Sequence, residues 1–349
     1  MSGQVPGRRK ALAALASLMA ATPCLSAQIA PRESAAPRRR VTPLDEFESV
    51  PGLEAAARQT LSPRAIERIA GGNRAAFDRI TFRPRMMVNT KALDLSLELL
   101  GQRMFAPILV GPASRQSDFH PAGERETAAG AAAAKATIVS AEGSGTPFSE
   151  TVAVAPGAWR QLYPDRDEGA LLARAREADT AGAAAICLTL GDAAGDRPAQ
   201  VGWDTVERLK AALDAPVVLK GIMHAPDAAE AARRGVAAVV VSNHGSRAAE
   251  GHADPMALLP TVAEEVAGRI PVLIDGGFRR GGDVLKAIAL GASAVLVCRP
   301  VMWGLAAYAR AGVQKVVEML QTELAQDMVQ VGAVNLAAVR RDHVRIHSR

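Results

Sequence analysis

The chain has 349 residues, and apolar residues make up 49% of them, which excludes a disordered chain and leaves room for one large domain with a substantial core. The net charge of +5 is concentrated at one end: residues 1–40 hold seven basic residues against Glu33, so they carry +6 and the rest carries −1. With two Tyr, three Trp and no basic body, the composition excludes a nucleic-acid partner.

The first 27 residues predict an export signal. Arg8-Arg9-Lys10 precede the apolar run 11–21, and small residues surround Ser26. This order is typical of a signal peptide, the paired arginines fit the twin-arginine type, and the run is too short for a transmembrane span. We expect a signal peptide at 1–27, a linker at 28–43, a folded domain at 44–349, and a periplasmic or secreted protein. The alternative is a disordered basic arm on a cytoplasmic protein.

From residue 107 onward, short apolar runs alternate with amphipathic Ala-rich segments, as expected of parallel β/α units. We expect eight strands, at Pro107–Pro112, Thr137–Ala141, Trp159–Tyr163, Ala184–Leu190, Pro216–Lys220, Ala237–Ser242, Pro271–Asp275 and Ala294–Val297. The predicted covering helices are Gly123–Ala136, Asp167–Ala181, Asp204–Leu213, Pro226–Arg234, Met256–Val266 and Asp283–Leu290, with further helices at Leu44–Ala70 and Tyr308–Val339.

Polar motifs follow nearly every predicted strand. Barrels place their sites at the carboxyl ends of the strands, so this pattern favours an α/β fold of the (β/α)₈ TIM barrel type with an N-terminal helical extension and C-terminal helices. A doubly wound open sheet is the alternative. Three scattered cysteines provide neither a disulfide framework nor a zinc site, and we expect Cys187 and Cys298 to be buried, inert thiols.

The last two predicted strands end in a candidate phosphate site. Strand seven runs into Asp275-Gly276-Gly277 with Arg279, and strand eight into Arg299. Glycines let backbone N–H groups approach an anion and arginine binds it bidentately, so the loops predict a phosphate-bearing ligand. A tight glycine turn with solvated arginines is the alternative.

Strands three, five and six end in groups suited to acid–base chemistry. Strand six continues into His244 and Arg247, which could exchange a proton and clamp a carboxylate. Lys220 ends strand five and could stabilise negative charge or form a Schiff base. Gln161 and Tyr163 alternate to the same side of strand three, toward the barrel interior. A histidine that merely completes a turn is the alternative reading of His244.

Together these motifs resemble the FMN-dependent 2-hydroxy-acid oxidases and dehydrogenases, such as glycolate oxidase, lactate oxidase and L-lactate dehydrogenase. The resemblance covers most of residues 44–340. It is carried by Ala76-Phe77-Asp78-Arg79-Ile80, Phe82-Arg83-Pro84-Arg85, His120-Pro121, Gln161-Leu162-Tyr163, Lys220-Gly221, Ser242-Asn243-His244-Gly245, Asp275-Gly276-Gly277 and Arg299-Pro300.

The resemblance implies a role for each matched residue. His244 is the base, Arg247 binds the substrate carboxylate, Tyr163 contacts the substrate, and Lys220 stabilises the reduced FMN ring. The resemblance implies that the remaining matched residues contact FMN. Those at the flavin ring are Ser140, Gln161, Thr189 and Ser242, those at the phosphate are Gly276, Gly277, Arg279 and Arg299, and Asp275 lies at the ribityl chain.

Departures from the family pattern lie on the substrate side. Gly191, followed by Asp192, stands where the family has an aspartate that orients the histidine, and Arg68 stands at the place of a substrate-binding tyrosine. Arg247 is flanked by Ser246 and Ala248 where Gly or Ala and then Gln are usual, and the segment between strands four and five is short. Loss of the aspartate would slow turnover, and a short lid would expose the flavin.

The sequence therefore predicts an FMN-dependent oxidoreductase that converts a small 2-hydroxy acid to the 2-oxo acid. Its partners would be that acid and an electron acceptor of unspecified kind (oxygen, quinone or cytochrome), with no metal and with a homo-oligomer left open. Two alternatives stay open: an FMN-binding barrel whose catalysis is lost or altered, and a different FMN-barrel chemistry, for which Arg68 and Glu142 are the unusual residues.

Overall fold

The computed structural model describes residues 42–165, 167–191, 201–245 and 253–347, which belong to one compact unit, Thr42–Arg349. The predicted signal peptide lies outside the described residues, as do Asp192 and the predicted carboxylate ligand Arg247.

The described strands are β1 (Ile80–Phe82), β2 (Leu97–Leu99), β3 (Gln102–Met104), β4 (Ile108–Val110), β5 (Val139–Ser140), β6 (Trp159–Leu162), β7 (Ile186–Thr189), β8 (Val217–Ile222), β9 (Ala238–Val241), β10 (Val272–Asp275), β11 (Ala294–Val297) and β12 (Val344–Ile346). Strands β4 to β11 form one parallel sheet in the order β4-β11-β10-β9-β8-β7-β6-β5. A parallel bridge between Val110 and Ile138 joins the two ends of the sheet. The TIM-barrel prediction is confirmed, and each barrel strand lies at a predicted apolar run.

The described α-helices are α1 (Val50–Thr60), α2 (Pro63–Ile69), α3 (Ala75–Asp78), α4 (Gly123–Ala133), α5 (Phe148–Val154), α6 (Glu168–Thr180), α7 (Trp203–Ala212), α8 (Ala225–Arg233), α9 (Pro255–Val266), α10 (Gly281–Ala289) and α11 (Arg299–Val331). Helix α5 was not predicted. The range Arg299–Val331 contains two helices joined at a kink, because Tyr308 and Ala309 have non-helical φ and ψ. The predicted C-terminal helix therefore begins at this break but ends at Val331 and not at Val339, and a further helix starts at Arg299, where Pro300 suits the first turn. Within these described ranges, no helix has the length and apolar character needed to cross a membrane.

A hairpin of β2 and β3 closes the amino-terminal end of the barrel. Leu99 and Met104 of the hairpin pack in one buried cluster with residues from the beginnings of the barrel strands, including Trp159. The Trp159 indole donates a hydrogen bond of 3.0 Å to Gln102 Oε1. Because this end is filled, the cavity described next lies at the carboxyl ends of the strands.

Candidate active site

A cavity of about 650 Å³ lies at the carboxyl ends of the barrel strands. Its lining contains most of the predicted site residues, namely Gln161, Tyr163, Thr189, Lys220, His244, Asp275, Gly276, Gly277, Arg279 and Arg299. Gln161 and Tyr163 thus reach the cavity together, as the alternation along the strand predicts. Ser140 and Ser242 are buried beside it.

Lys220 lies at the centre of a buried polar cluster. Its Nζ is 2.8 Å from Asp275 Oδ2 and donates a second hydrogen bond of 2.8 Å to Ser242 Oγ. The two charged side chains are only 6% and 8% exposed. Burial opposes the charge, but the Asp275 carboxylate outweighs it, so the pKa of Lys220 lies above its ordinary value. A lysine held as an ammonium is a fixed positive charge and a poor Schiff-base nucleophile.

Three buried polar atoms around this cluster have no hydrogen-bond partner in the described protein: Gln161 Nε2, Thr189 Oγ1 and Asp275 Oδ1. All three residues line the cavity. Buried polar atoms are almost always paired, so these atoms indicate a ligand that carries both donors and acceptors. The edge of a flavin ring and a ribityl chain carry such groups, and the residues therefore fit FMN.

Arg279 and Arg299 converge at the far side of the cavity. Arg279 Nη2 and Arg299 Nη1 both face the Gly71 carbonyl oxygen, at 2.9 and 3.4 Å. A Cβ atom built on Gly72 would lie 2.6 Å from Arg299 Nη1 and 3.1 Å from Arg279 Nη2. A side chain at position 72 would push against both guanidinium groups, and the φ of 131° there also favours glycine.

No carboxylate of the described residues forms an ion pair with either arginine, and Arg279 lies over the Trp303 ring at 4.5 Å. Burial, reinforced by the charge of Arg299, lowers the pKa of Arg279 to about 10. Two half-buried like charges without a counter-ion among the described residues favour a bound anion. This geometry fits a phosphate group better than a glycine turn with solvated arginines.

His244 lies at the mouth in a left-handed conformation, with φ of 55°. Its backbone N–H donates to Ser242 Oγ at 3.2 Å, and its ring Nε2 is 2.9 Å from the Leu190 carbonyl oxygen. A Cβ atom on Gly191 would lie 3.5 Å from the same Nε2. Position 191, where the family has an aspartate, therefore adjoins the imidazole, as the family resemblance implies.

Tyr163 and Glu142 are held together on the opposite wall. Glu142 Oε2 accepts the Tyr163 backbone N–H at 2.9 Å, and its Oε1 is 2.8 Å from Arg174 Nε. Arg174 also pairs with Asp165 at 2.9 Å. Glu142, which the sequence singled out as unusual, thus supports the strand end that carries Tyr163.

Arg68 lines the cavity but is engaged with the loop after β4. It forms an ion pair with Asp118, donates to the Ser114 carbonyl oxygen at 2.9 Å, and lies over the Phe119 ring at 5.0 Å. Its carboxylate partner is thus supplied from within the protein. Arg68 fixes a wall of the cavity, a role that the sequence did not reveal because Asp118 is 50 residues away.

The cysteine prediction is confirmed for Cys187 alone. Cys187 is fully buried in the barrel, and burial raises the pKa of its thiol to about 12. Cys298 is only half-buried and lines the cavity beside Arg299, so the expectation of a second buried thiol is wrong. No group of histidine, cysteine and carboxylate side chains that could hold a metal ion occurs among the residues with described positions.

Comparisons with known proteins agree with this site. The family model of FMN-dependent dehydrogenases matches residues 64–198 and 194–346. A 4-hydroxymandelate oxidase of Amycolatopsis orientalis is 35% identical over 352 residues, covering 86% of this chain and 99% of the relative. An L-lactate oxidase of Nostoc sp. is 37% identical over 314 residues, covering 76% and 86%.

A solved structure of mandelate oxidase with (S)-2-phenylpropionate superposes with a TM-score of 0.83 at 36% identity, covering 87% of this chain and all of that one. The fold and site thus define an FMN-dependent barrel oxidoreductase. The chain belongs to the FMN-dependent 2-hydroxy-acid oxidase and dehydrogenase family, FMN is its cofactor, and 2-hydroxy acids are its substrate class.

Proposed function

We propose that this protein oxidises a small 2-hydroxy acid to the 2-oxo acid with His244 as the base, Tyr163 and Arg247 as substrate ligands, and Lys220 as the charge that stabilises the reduced cofactor. The observation that carries the proposal is one cavity that holds a proton acceptor, a fixed ammonium and a pair of guanidinium groups that have no counter-ion among the residues with described positions. A proton acceptor and an electron-acceptor site must share a cavity in this reaction.

The residues divide the chemistry between them. FMN, when bound, supplies the two-electron acceptor, and Arg279 and Arg299 would hold its phosphate while Gln161, Thr189 and Asp275 would satisfy its polar atoms. The His244 imidazole would take the proton from the substrate hydroxyl or α-carbon, and the hydride equivalent would pass to the bound FMN. The Lys220 ammonium, held charged by Asp275, would stabilise negative charge on the reduced cofactor. Tyr163 would orient the substrate oxygen, and Arg247, on sequence grounds, its carboxylate.

The decisive experiment is anaerobic titration of the purified flavoprotein with glycolate, L-lactate, mandelate and 4-hydroxymandelate, followed by absorbance of the flavin. We expect at least one acid to bleach the bound FMN and to yield one equivalent of 2-oxo acid. Bound FMN that no acid bleaches would instead support an FMN-binding barrel with lost or altered catalysis. Reoxidation of the bleached protein by oxygen, a quinone or cytochrome c then identifies the class of electron acceptor.

We also propose, from the sequence, that residues 1–27 direct export. The support is the order of the basic Arg8-Arg9-Lys10, the apolar run and the small residues. Replacing Arg8 and Arg9 by lysine should retain the full-length protein in the cytoplasm if the twin-arginine route is used. A full-length N-terminus on the wild-type protein at its final location would refute export.

A further inference from the structure

We propose that Asn73 is a positioning residue, which holds the turn carrying His244 in its reactive conformation through an amide pair with Asn243. The inference rests on the proposed role of His244 as the base. Asn73 is not among the predicted site residues. Its side chain reaches the turn at Asn243–His244 from a segment about 170 residues earlier in the chain.

Asn73 belongs to the segment Gly71–Arg74, here called the strap, which connects the helical extension to the barrel mouth. At one end of the strap, the Gly71 carbonyl oxygen accepts from Arg279. At the other end, Arg74 Nη1 donates to the Gly277 carbonyl oxygen at 2.7 Å and to Asp283 Oδ2 at 2.6 Å. The strap is therefore fixed against the phosphate loop on both sides of Asn73.

The Asn73 side chain points from the strap to the turn after β9. Asn73 Nδ2 donates to Asn243 Oδ1 at 2.9 Å, and Asn243 Nδ2 donates to Asn73 Oδ1 at 3.1 Å. The two residues are 8% and 6% exposed. Both amides are thus satisfied reciprocally in a buried place, where an unpaired amide costs about 1–3 kcal/mol.

The turn needs such support because its backbone is strained. His244 has φ of 55° and Gly245 has φ of 85°, and a left-handed conformation costs a residue other than glycine about 1–2 kcal/mol. Arg299 holds the turn from its far side by donating to the Gly245 carbonyl oxygen. Asn243 directly precedes His244, so the amide pair of Asn73 and Asn243 fixes the other side of the turn.

The neighbouring loop is shaped to admit the Asn73 side chain. A Cβ atom on Gly276 would lie 2.6 Å from Asn73 Nδ2, and one on Gly277 would collide with the Asn73 carbonyl oxygen. Both glycines have positive φ, at 95° and 90°. The close approach of strap and loop is therefore built around Asn73, and not around the arginine contacts alone.

The test compares Asn73→Ala, Asn243→Ala and the double variant, with Asn335→Ala as the matched control. Asn335 is an asparagine whose side chain is likewise hydrogen-bonded, because its Oδ1 accepts from the Ala338 backbone N–H at 2.9 Å, but it caps a short turn near the C-terminus. The measured quantities are the rate of anaerobic flavin reduction at saturating hydroxy acid, the Kd for FMN, and the ¹⁵N NMR signals of the His244 ring, identified by their absence in His244→Ala.

We expect Asn73→Ala to slow flavin reduction about tenfold or more, corresponding to the loss of about 1.4 kcal/mol or more of transition-state stabilisation. The Kd for FMN should stay within about threefold of the wild-type value, because the Gly71 carbonyl and not the Asn73 side chain meets the phosphate arginines. The ring signals of His244 should shift or broaden. Asn335→Ala should change none of these quantities.

The double variant separates positioning from general damage. If Asn73 acts through Asn243, the double variant reduces its flavin no more slowly than Asn243→Ala alone, within about twofold. Multiplicative losses, a wild-type rate in Asn73→Ala, or a loss that merely follows FMN occupancy would each overturn the proposal. Should Asn73→Ala fail to fold, Asn73→Asp, which retains the acceptor for Asn243, must give an intermediate rate with FMN bound.

Failure of the proposed function is distinguishable from failure of this inference. If no hydroxy acid bleaches the wild-type flavin, the proposed function fails, and the NMR signals then decide the inference without turnover. Ring signals of His244 that move in Asn73→Ala and not in Asn335→Ala support the positioning role. Unchanged signals reject it.

Discussion

The two sides of the cavity differ in where their charges find partners. On the cofactor side, Arg279 and Arg299 have no carboxylate partner among the described residues, and polar atoms of Gln161 and Thr189 are buried without a hydrogen bond. On the substrate side, Arg68 pairs with Asp118.

Glu142 on the substrate side likewise pairs with Arg174. A charge or polar atom that the protein leaves uncompensated in a buried place requires a ligand, because the desolvation penalty must be met by some partner. A charge that is already compensated instead holds the wall in place. At its phosphate end the cofactor side is thus defined by its incomplete interactions, whereas the substrate side is defined by its scaffold. The Lys220–Asp275 ion pair is the compensated exception on the cofactor side, and it leaves Asp275 Oδ1 without a hydrogen bond. The predictions below test that distinction.

The largest expected effect is the loss of His244, the group on which the substrate side depends. His244→Ala should lower the rate of anaerobic flavin reduction by about 10²–10⁴-fold, the usual contribution of a general base. FMN should stay bound, because Arg299 contacts the Gly245 carbonyl oxygen and Arg279 the Gly71 carbonyl oxygen, and the substitution leaves both backbone groups in place. Stopped-flow absorbance gives the rate and the flavin spectrum gives the occupancy. Reduction at the wild-type rate would remove His244 from the mechanism.

The next effect concerns the uncompensated pair. Arg279→Ala or Arg299→Ala should each weaken FMN binding by roughly 10- to 150-fold, since a hydrogen bond to a charged group contributes about 1.5–3 kcal/mol. Arg280→Ala is the matched control from the same loop. Its Nε is 2.9 Å from both carboxylate oxygens of Glu323, so Arg280 already has its partner.

Isothermal titration of the apoprotein with FMN measures these affinities. If Arg280→Ala weakened FMN binding as much as Arg279→Ala, the distinction between uncompensated and compensated arginines would not hold.

The sequence could predict the features that depend on residues close together in the chain, and it could not predict the contacts between distant residues. The barrel strands are continuous apolar runs, and β10 and β11 end in local glycine and arginine motifs, so both the barrel and the phosphate loops were predictable. Helix α5 was missed because its seven residues, from Phe148 to Val154, hold a block of three polar residues followed by three apolar ones and are too few to show a helical period.

The contacts that complete the site span long distances in sequence. Arg68 and Asp118 are 50 residues apart, and Asn73 and Asn243 are 170 apart. No local period or spacing encodes such pairs, and each residue alone looks like an ordinary polar surface residue. The sequence could indicate that Arg68 is unusual, but only the folded barrel shows that Asp118 neutralises it.

A smaller effect tests whether Arg68 is scaffold or ligand. If Arg68 fixes the wall, Arg68→Ala and Asp118→Asn should each raise the KM for the hydroxy acid about tenfold, a loss of about 1.4 kcal/mol, and the double variant should be no worse. If Arg68 instead bound the substrate carboxylate, Asp118→Asn would release the guanidinium and lower KM.

Steady-state kinetics with the best substrate of the panel distinguish these outcomes. Arg125→Ala is the control, because Arg125 forms a comparable ion pair with Glu150 at the exposed surface, where such pairs contribute little. A change of KM in Arg125→Ala would show that the assay reports general damage to the domain.

The smallest expected effect comes from restoring a carboxylate at Gly191, next to His244. A Cβ atom there lies 3.5 Å from the imidazole Nε2, an ordinary contact, so Gly191→Asp brings a negative charge within reach of the ring. A neighbouring carboxylate favours the protonated imidazole. Because the base must be neutral to accept the substrate proton, the acid limb of the kcat/KM profile should move to higher pH by about one unit. At a pH above that limb, the reduction rate should rise a few-fold, because the carboxylate stabilises the imidazolium formed when the proton is taken.

Gly191 has φ of 76°, so the variant should also lose about 1 kcal/mol of stability, which thermal unfolding of the holoprotein measures. Gly191→Asn, with the same backbone strain and no charge, is the matched control: it should lower stability equally and leave the acid limb in place. Equal pH profiles for the two variants would mean that the carboxylate does not reach the imidazole, and that position 191 affects His244 through the backbone alone.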